Sequence, residues 1–280
     1  IDDVANFFDR SSSTSLEDYL EAFTHTIALM QSYGNLERIA YEAAVDMHQN
    51  NINFYESRYA PFYSVNDDLS PKDVLTAINS GFKQAEKEFG IVSGLILCGM
   101  RHDPKNVEAV ADLAIEYKDL IIGFDIAGPE LNYLPSMYAD SFIKVKNKGI
   151  NITIHAGEGD GVHSIQEALD NGAKRIGHGV RIIEDISDND ELGPTADHVL
   201  QNNIPLEVCI TSNLHTNMYR NPQDHPISRL YNLGFNISLN TDNRLMSNTS
   251  IDNELNVAKI AGIENPTSLL KYSTSDSFLN

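Results

Sequence analysis

The sequence, 280 residues long, predicts a parallel α/β fold of the (β/α)₈ barrel class. Three observations carry this expectation. Short β-branched runs recur along the chain, segments of helical periodicity separate them, and most of the runs end in a glycine or a polar side chain.

The runs are NINFYESRYAP (51–61), GIVSGLILCGM (90–100), DLIIGFDIAG (119–128), GINITIHAGE (149–158), AKRIGHGV (173–180), NIPLEVCITSN (203–213) and GFNISLNTDN (234–243). Their near-continuous apolar character suits strands covered on both faces, as parallel sheets are. The segment 69–90 illustrates the helices between them: Ser70 can cap, Pro71 fits the first turn and Gly90 can end the helix. No composition break or Pro/Ser-rich linker interrupts the alternation, so residues 1–280 are expected to form one domain, with its barrel strands between about 53 and 243. Gly128, His155, His178, Asn213 and Asp242 each stand at or just past an apolar run. A closed barrel gathers all its strand C-termini at one mouth, whereas an open sheet offers a crevice between only a few, so this distribution favours the barrel. Seven strands leave an eight-stranded barrel one short. The helical segment 16–49 has no strand before it and SLLKYSTSDSFLN stops where a last helix should continue, so the first strand and the C-terminal helix are expected to be missing from this sequence.

Composition excludes several classes. Forty acidic against twenty basic residues give a formal charge of −20, which repels phosphate backbones and anionic membranes. Cys98 and Cys209 both lie in apolar runs and read as buried free thiols, which argues against a disulfide scaffold or a cysteine zinc site. The apolar stretch 91–100 is far short of the roughly 20 residues a membrane helix needs. The N-terminus, IDDVANFFDRSS, opens without Met in what reads as the middle of a helix and lacks the regions of a signal peptide. Unless a leader has been removed, a cytoplasmic protein is expected.

The candidate chemistry lies at the strand ends. In HAGE, His155 closes a strand and Glu158 follows the Gly157 turn, so an imidazole able to bind a metal and a carboxyl able to move a proton can share one site. The same tetrapeptide also suits a strand-end histidine bonded to backbone and a glutamate opening a helix. His178 stands between glycines in RIGHGV, where a second backbone or a ligand can come close; alone it is as readily a satisfied core histidine as an active-site base. Asp242 and Asn243 follow the run NISLNT, where a buried carboxylate needs a cation or donors, although both also serve as helix caps. Together these residues point to metal-assisted hydrolysis, because four such groups at strand ends are hard to account for one by one.

The motifs YESRYAP (55–61), DIAGPE (125–130), HAGE (155–158), RIGHG (175–179), CITSN (209–213) and LNTDN (239–243), in that order, resemble the adenosine deaminase family of barrel amidohydrolases from about residue 16 to the C-terminus. The resemblance implies one Zn²⁺ per chain, with His155 and Asp242 as ligands. It further implies that Glu158 delivers a proton to purine N1, that His178 orients or deprotonates the attacking water, and that Gly128 meets purine N3 through its backbone. The expected reaction is hydrolytic deamination of adenosine, and of 2'-deoxyadenosine, to inosine and ammonia, a step of purine salvage. The partner is then a small purine nucleoside, not nucleic acid or membrane. The H-x-E and P-C-x-x-C signature of the other zinc deaminases is absent.

Two departures stand out. None of His25, His48 and His102 has a histidine two residues on, so the family's early His-x-His pair, the source of two more zinc ligands, has no counterpart here. Asn243 replaces a frequent second aspartate at the purine N7 contact, where an amide can donate without first acquiring a proton. A deaminase of another 6-aminopurine (adenine, AMP or a modified nucleoside) and an inactive purine-binding homologue are the alternative readings. The dispersed Arg58, Arg181, Arg220 and Arg244 favour a substrate without phosphate.

Overall fold

The computed structural model describes residues 7–13, 19–270 and 276–279. Residues 1–6, 14–18 and 271–275 carry the expected N-terminal opening within a helix, the start of the 16–49 segment and the last C-terminal segment, and these lie outside the described residues. Among the described residues two compact units are present, one formed by residues 23–128, 137–152 and 277–279, the other by residues 7–13, 19–22, 129–136, 153–270 and 276.

The first unit opens with α1 (Phe23–Leu29) and α2 (Tyr33–Gln49). The expected single helix is broken because Ser32, in extended conformation, caps α2 by accepting from the Asn35 amide. Strand β1 (Phe54–Tyr59), helix α3 (Pro71–Phe89), strand β2 (Val92–Met100), helix α4 (Pro104–Glu116), strand β3 (Gly123–Ala127) and helix α5 (Ala139–Asn147) follow. Helix α3 is bounded as the sequence indicates: Ser70 and Asp73 form a reciprocal capping box, Pro71 occupies the first turn and Gly90 ends the helix with φ +74°. Helices α2 and α3 cross closely at Gly81, where an added Cβ would lie 2.2 Å from the Glu37 carbonyl oxygen and 2.7 Å from the Tyr41 amide. Ala44, Ala85 and Ile91 are buried beside this crossing, with Tyr41, Met47 and Tyr55 packed on them.

Strand β4 (Asn151–Ala156) pairs with β3 through its first two residues, Asn151 and Ile152. Its remainder begins the second unit, with helix α6 (Val162–Asp170), strand β5 (Arg175–His178), helix α7 (Pro194–Gln201), strand β6 (Leu206–Val208), helix α8 (Ile210–His215), helix α9 (Ile227–Asn232), strand β7 (Ile237–Leu239) and helix α10 (Ile251–Ile260). All seven strands are parallel and follow the order of the chain, β1 to β7. Unbroken sequential order with helices between is the connectivity of a (β/α) barrel rather than of a doubly wound sheet, whose order reverses.

In the second unit a polar layer crosses three strands. Arg175 Nε lies 2.8 Å from Glu207 Oε1, and the Thr153 hydroxyl donates to Glu207 Oε2 at 3.0 Å. Removing Arg175 or Glu207 would leave a buried charge uncompensated, and removing Thr153 would take one donor from Glu207, so the layer holds β4, β5 and β6 to a single register. One expectation is corrected here: Asn213 is not at a strand end. Strand β6 stops at Val208, and CITSN turns into α8, where the Asn213 amide donates to the Cys209 carbonyl at 3.0 Å.

Candidate active site

His155, Glu158, His178, Asp242 and Asn243 all fall in the second unit; Gly128 follows β3 in the first. Gly128 has φ +97°, and an added Cβ would sit 3.2 Å from Met100 Cε and 3.4 Å from His102 Nδ1. A side chain is thus disfavoured on both counts.

His155, next to last in β4, and His178, last in β5, stand on neighbouring strands, and their rings are tilted with centroids 5.4 Å apart. Gly177 permits this, since a Cβ there would stand 3.1 Å from His155 Cα and 3.3 Å from its Cγ. His178 itself adopts φ +61° and Asp242 φ +52°. Left-handed backbone costs non-glycine residues roughly 1–3 kcal/mol each and is tolerated where surrounding contacts demand it. Here it aims two polar side chains, His178 from the end of β5 and Asp242 from three residues past β7.

Glu158 Oε2 lies 3.5 Å from His178 Nε2, and both side chains are buried. Burial pushes the Glu158 carboxyl above the ordinary carboxylate range; the His178 ring opposes the shift, while the Asp242 carboxylate adds to it. The loop that carries Glu158 is held by Glu130, a buried residue of the DIAGPE motif. Its Oε1 accepts from the Gly157 amide at 2.7 Å and the Ser164 hydroxyl at 2.6 Å, and its Oε2 accepts from the amides of Glu158 and Asp160 at 2.9 and 3.0 Å. One carboxylate thus satisfies four donors around the acid.

The Asp242 carboxylate accepts on both oxygens, from the Ser212 hydroxyl and from Asn243 Nδ2, each at 2.8 Å. Tyr19, buried in the same unit, shares a 2.8 Å hydrogen bond with Ser247. Its phenol is pushed up by burial first and then by the Asp242 and Glu158 charges, with Asn243 acting in the opposite sense. Tyr19, Glu130 and Ser212 were not singled out in the sequence reading. Only the strand-end position of DIAGPE and CITSN hinted at the last two.

Among the described residues no group of three or more His, Cys, Asp and Glu is arranged to hold a metal ion. The donors present nevertheless fit zinc in kind. An imidazole and a carboxylate are its ordinary nitrogen and oxygen ligands, and a ligating carboxylate is normally oriented by hydrogen bonds such as those from Ser212 and Asn243. They fall short in number, two against the three protein ligands usual at a catalytic zinc.

A family model described as adenosine deaminase matches residues 1–266. The chain is 42% identical over 259 residues to adenosine deaminase 1 of Streptomyces coelicolor, covering 89% of this chain and 65% of that protein. It is 40% identical over 266 residues to an adenosine deaminase of Mycolicibacterium vanbaalenii, covering 91% and 73%. Among solved structures, the N6-methyl-AMP deaminase of Arabidopsis thaliana superposes with a TM-score of 0.80 at 25% identity, covering 94% of this chain and 79% of that one. The chain therefore spans about two thirds of the length of the Streptomyces relative.

Proposed function

From the premise that this chain belongs to the adenosine deaminase family, we propose that the protein hydrolyses adenosine, and 2'-deoxyadenosine, to inosine and ammonia in purine salvage. The observation that carries the reading is the buried Glu158 carboxyl, 3.5 Å from His178 Nε2 and pushed above the ordinary carboxylate range by burial. Burial that favours the protonated form of a carboxyl suits it to deliver a proton to a ring nitrogen.

His155 and Asp242 are the residues that would hold a zinc ion, and the resemblance implies two further histidine ligands from a His-x-His pair, which does not occur in this sequence. When bound, zinc supplies the Lewis acidity that makes water a nucleophile at neutral pH. The chain's own residues do the rest. Glu158 gives its proton to purine N1, which draws electron density from C6 and prepares it for attack. His178 orients the water toward C6. Addition there gives a tetrahedral carbon; the proton the water loses passes to the Glu158 carboxylate and from it to the exocyclic nitrogen, the C6–N bond breaks to release ammonia, and the C6 hydroxyl proton returns to Glu158, leaving the 6-oxopurine. Asn243 faces purine N7 as a donor.

A neutral nucleoside is favoured over a nucleotide by the state of the arginines. Arg58 donates from Nε to Asp125 Oδ2 at 2.7 Å, and Arg181 is paired twice with Glu184, at 2.6 and 3.1 Å. Guanidinium groups already engaged by carboxylates are poor receptors for a phosphate. The test compares kcat/KM for adenosine, adenine, AMP and N6-methyl-AMP. Adenosine should lead by at least an order of magnitude, and a preference for either nucleotide would overturn the assignment.

No helix among the described residues is long and apolar enough to cross a membrane. The cytoplasm is the proposed location.

A further inference from the structure

His178 can carry its proton on either ring nitrogen, and the two forms do opposite things at Nε2, one donating and the other accepting. Its Nδ1 is 3.0 Å from Asn213 Nδ2. The other end of that amide, Oδ1, is 3.2 Å from His225 Nε2. His225 Nδ1 in turn lies 3.2 Å from the backbone nitrogen of Ile227. A backbone N–H can only donate, so His225 Nδ1 must accept, and a neutral His225 therefore has its hydrogen on Nε2. That hydrogen points at Asn213 Oδ1, which fixes the amide with its NH₂ toward His178.

The second amide hydrogen also has a partner, Met218 Sδ at 3.4 Å. A flipped Asn213 would set NH₂ against the Nε2–H of His225, donor to donor, in a place where no solvent can relieve it: Asn213 is fully buried and His225 nearly so. Burial and the neighbouring His178 push the His225 imidazole down to about 3, consistent with a ring that stays neutral at physiological pH.

We propose that His225 and Asn213 are positioning residues that transmit the direction of the Ile227 backbone N–H to His178 and hold it as the Nε2–H tautomer. The consequence rests on the deaminase reading given above: in that tautomer Nε2 meets Glu158 and the attacking water as a donor, so His178 orients the water rather than taking its proton. Neither residue touches the reacting atoms.

Long-range ¹H–¹⁵N NMR of the histidine rings reads the tautomer directly in the purified protein, with His178 assigned by its disappearance in His178→Gln. The wild type should show His178 protonated at Nε2 and bare at Nδ1. Asn213→Asp provides the inversion, because a carboxylate only accepts: His225 can still donate to it, so the fold is retained, and His178 should now be protonated at Nδ1. The same variant should lose at least tenfold in kcat with KM for adenosine changed less than threefold. A wild-type His178 protonated at Nδ1, an Asn213→Asp ring still bare there, or an inverted ring with wild-type kcat would each overturn the proposal. A wild type that does not turn over adenosine while showing the expected ring pattern would count against the deaminase reading alone, since the NMR result needs no substrate.

Discussion

Glu130 supports the acid without approaching the chemistry, and its removal has a calculable cost. Glu130→Ala leaves the amides of Gly157, Glu158 and Asp160 and the Ser164 hydroxyl without their acceptor. An unsatisfied buried donor costs about 1–3 kcal/mol, but Asp160 is only partly buried and the terms are not additive, so the net destabilisation is about 4 kcal/mol. Glu130→Gln should be milder. Its carbonyl oxygen can keep the Glu158 and Asp160 amides, its NH₂ can meet a rotated Ser164 hydroxyl, and only Gly157 loses a partner along with the carboxylate charge, for about 2 kcal/mol. At roughly 2–4 °C per kcal/mol for a chain of this size, the melting temperature should fall by about 5 °C for Gln and by twice that for Ala. Hydrogen exchange on peptides covering 157–164 should accelerate in the same order, and kcat should fall with it as Glu158 loses its fixed position. An alanine variant that melts within about 1 °C of wild type, with unchanged exchange at 157–164, would show that the four hydrogen bonds do not hold this loop.

Three further expectations follow from particular contacts. His225, with its pKa pushed from 6.5 to about 3 in the fold, binds fewer protons folded than unfolded between those values. Its contribution is complete above pH 6.5 and is lost as the pH falls, at about 1 kcal/mol per pH unit; His225→Gln should flatten that part of the stability profile in chemical denaturation, and an unaltered slope would contradict it. Gly81→Ala, with its Cβ 2.2 Å from the Glu37 carbonyl, should lower stability by about 3 kcal/mol through forced separation of α2 and α3, where an unchanged melting temperature would show the crossing to be loose. Asn243→Ala should raise KM for adenosine about tenfold if the amide donates to purine N7; unchanged kinetics would remove that role.

The positions of the candidate residues at or just past the strands, and the order of the strands, were legible because both are local. His155, Glu158, His178 and Asp242 each interrupt or follow an apolar run, and seven such runs in alternation with helices admit little besides sequential parallel pairing. What escaped is whatever depends on distance along the chain. Glu130 reaches residues 27 to 34 positions away, and Tyr19 meets Ser247 across 228. Neither partnership leaves a periodic trace. Asn213 was misplaced for a different reason: CITSN continues the β-branched composition of LEV, and only the backbone bond from Asn213 to Cys209 shows that the chain has already turned helical. The break between α1 and α2 escaped similarly, since Ser32 reads as a polar helical position until its hydroxyl is seen to cap.

The proton donor is the centre of the account, and the change in ultraviolet absorbance as adenosine becomes inosine tests it most directly. The wild type should convert adenosine, with kcat/KM falling as pH rises through a pKa above the ordinary carboxylate range, because Glu158 must be protonated to act. Glu158→Gln, which keeps the shape and loses the transferable proton, should be slower by about 10²-fold or more and should lack that alkaline limb. Equal rates in the two proteins would contradict the account.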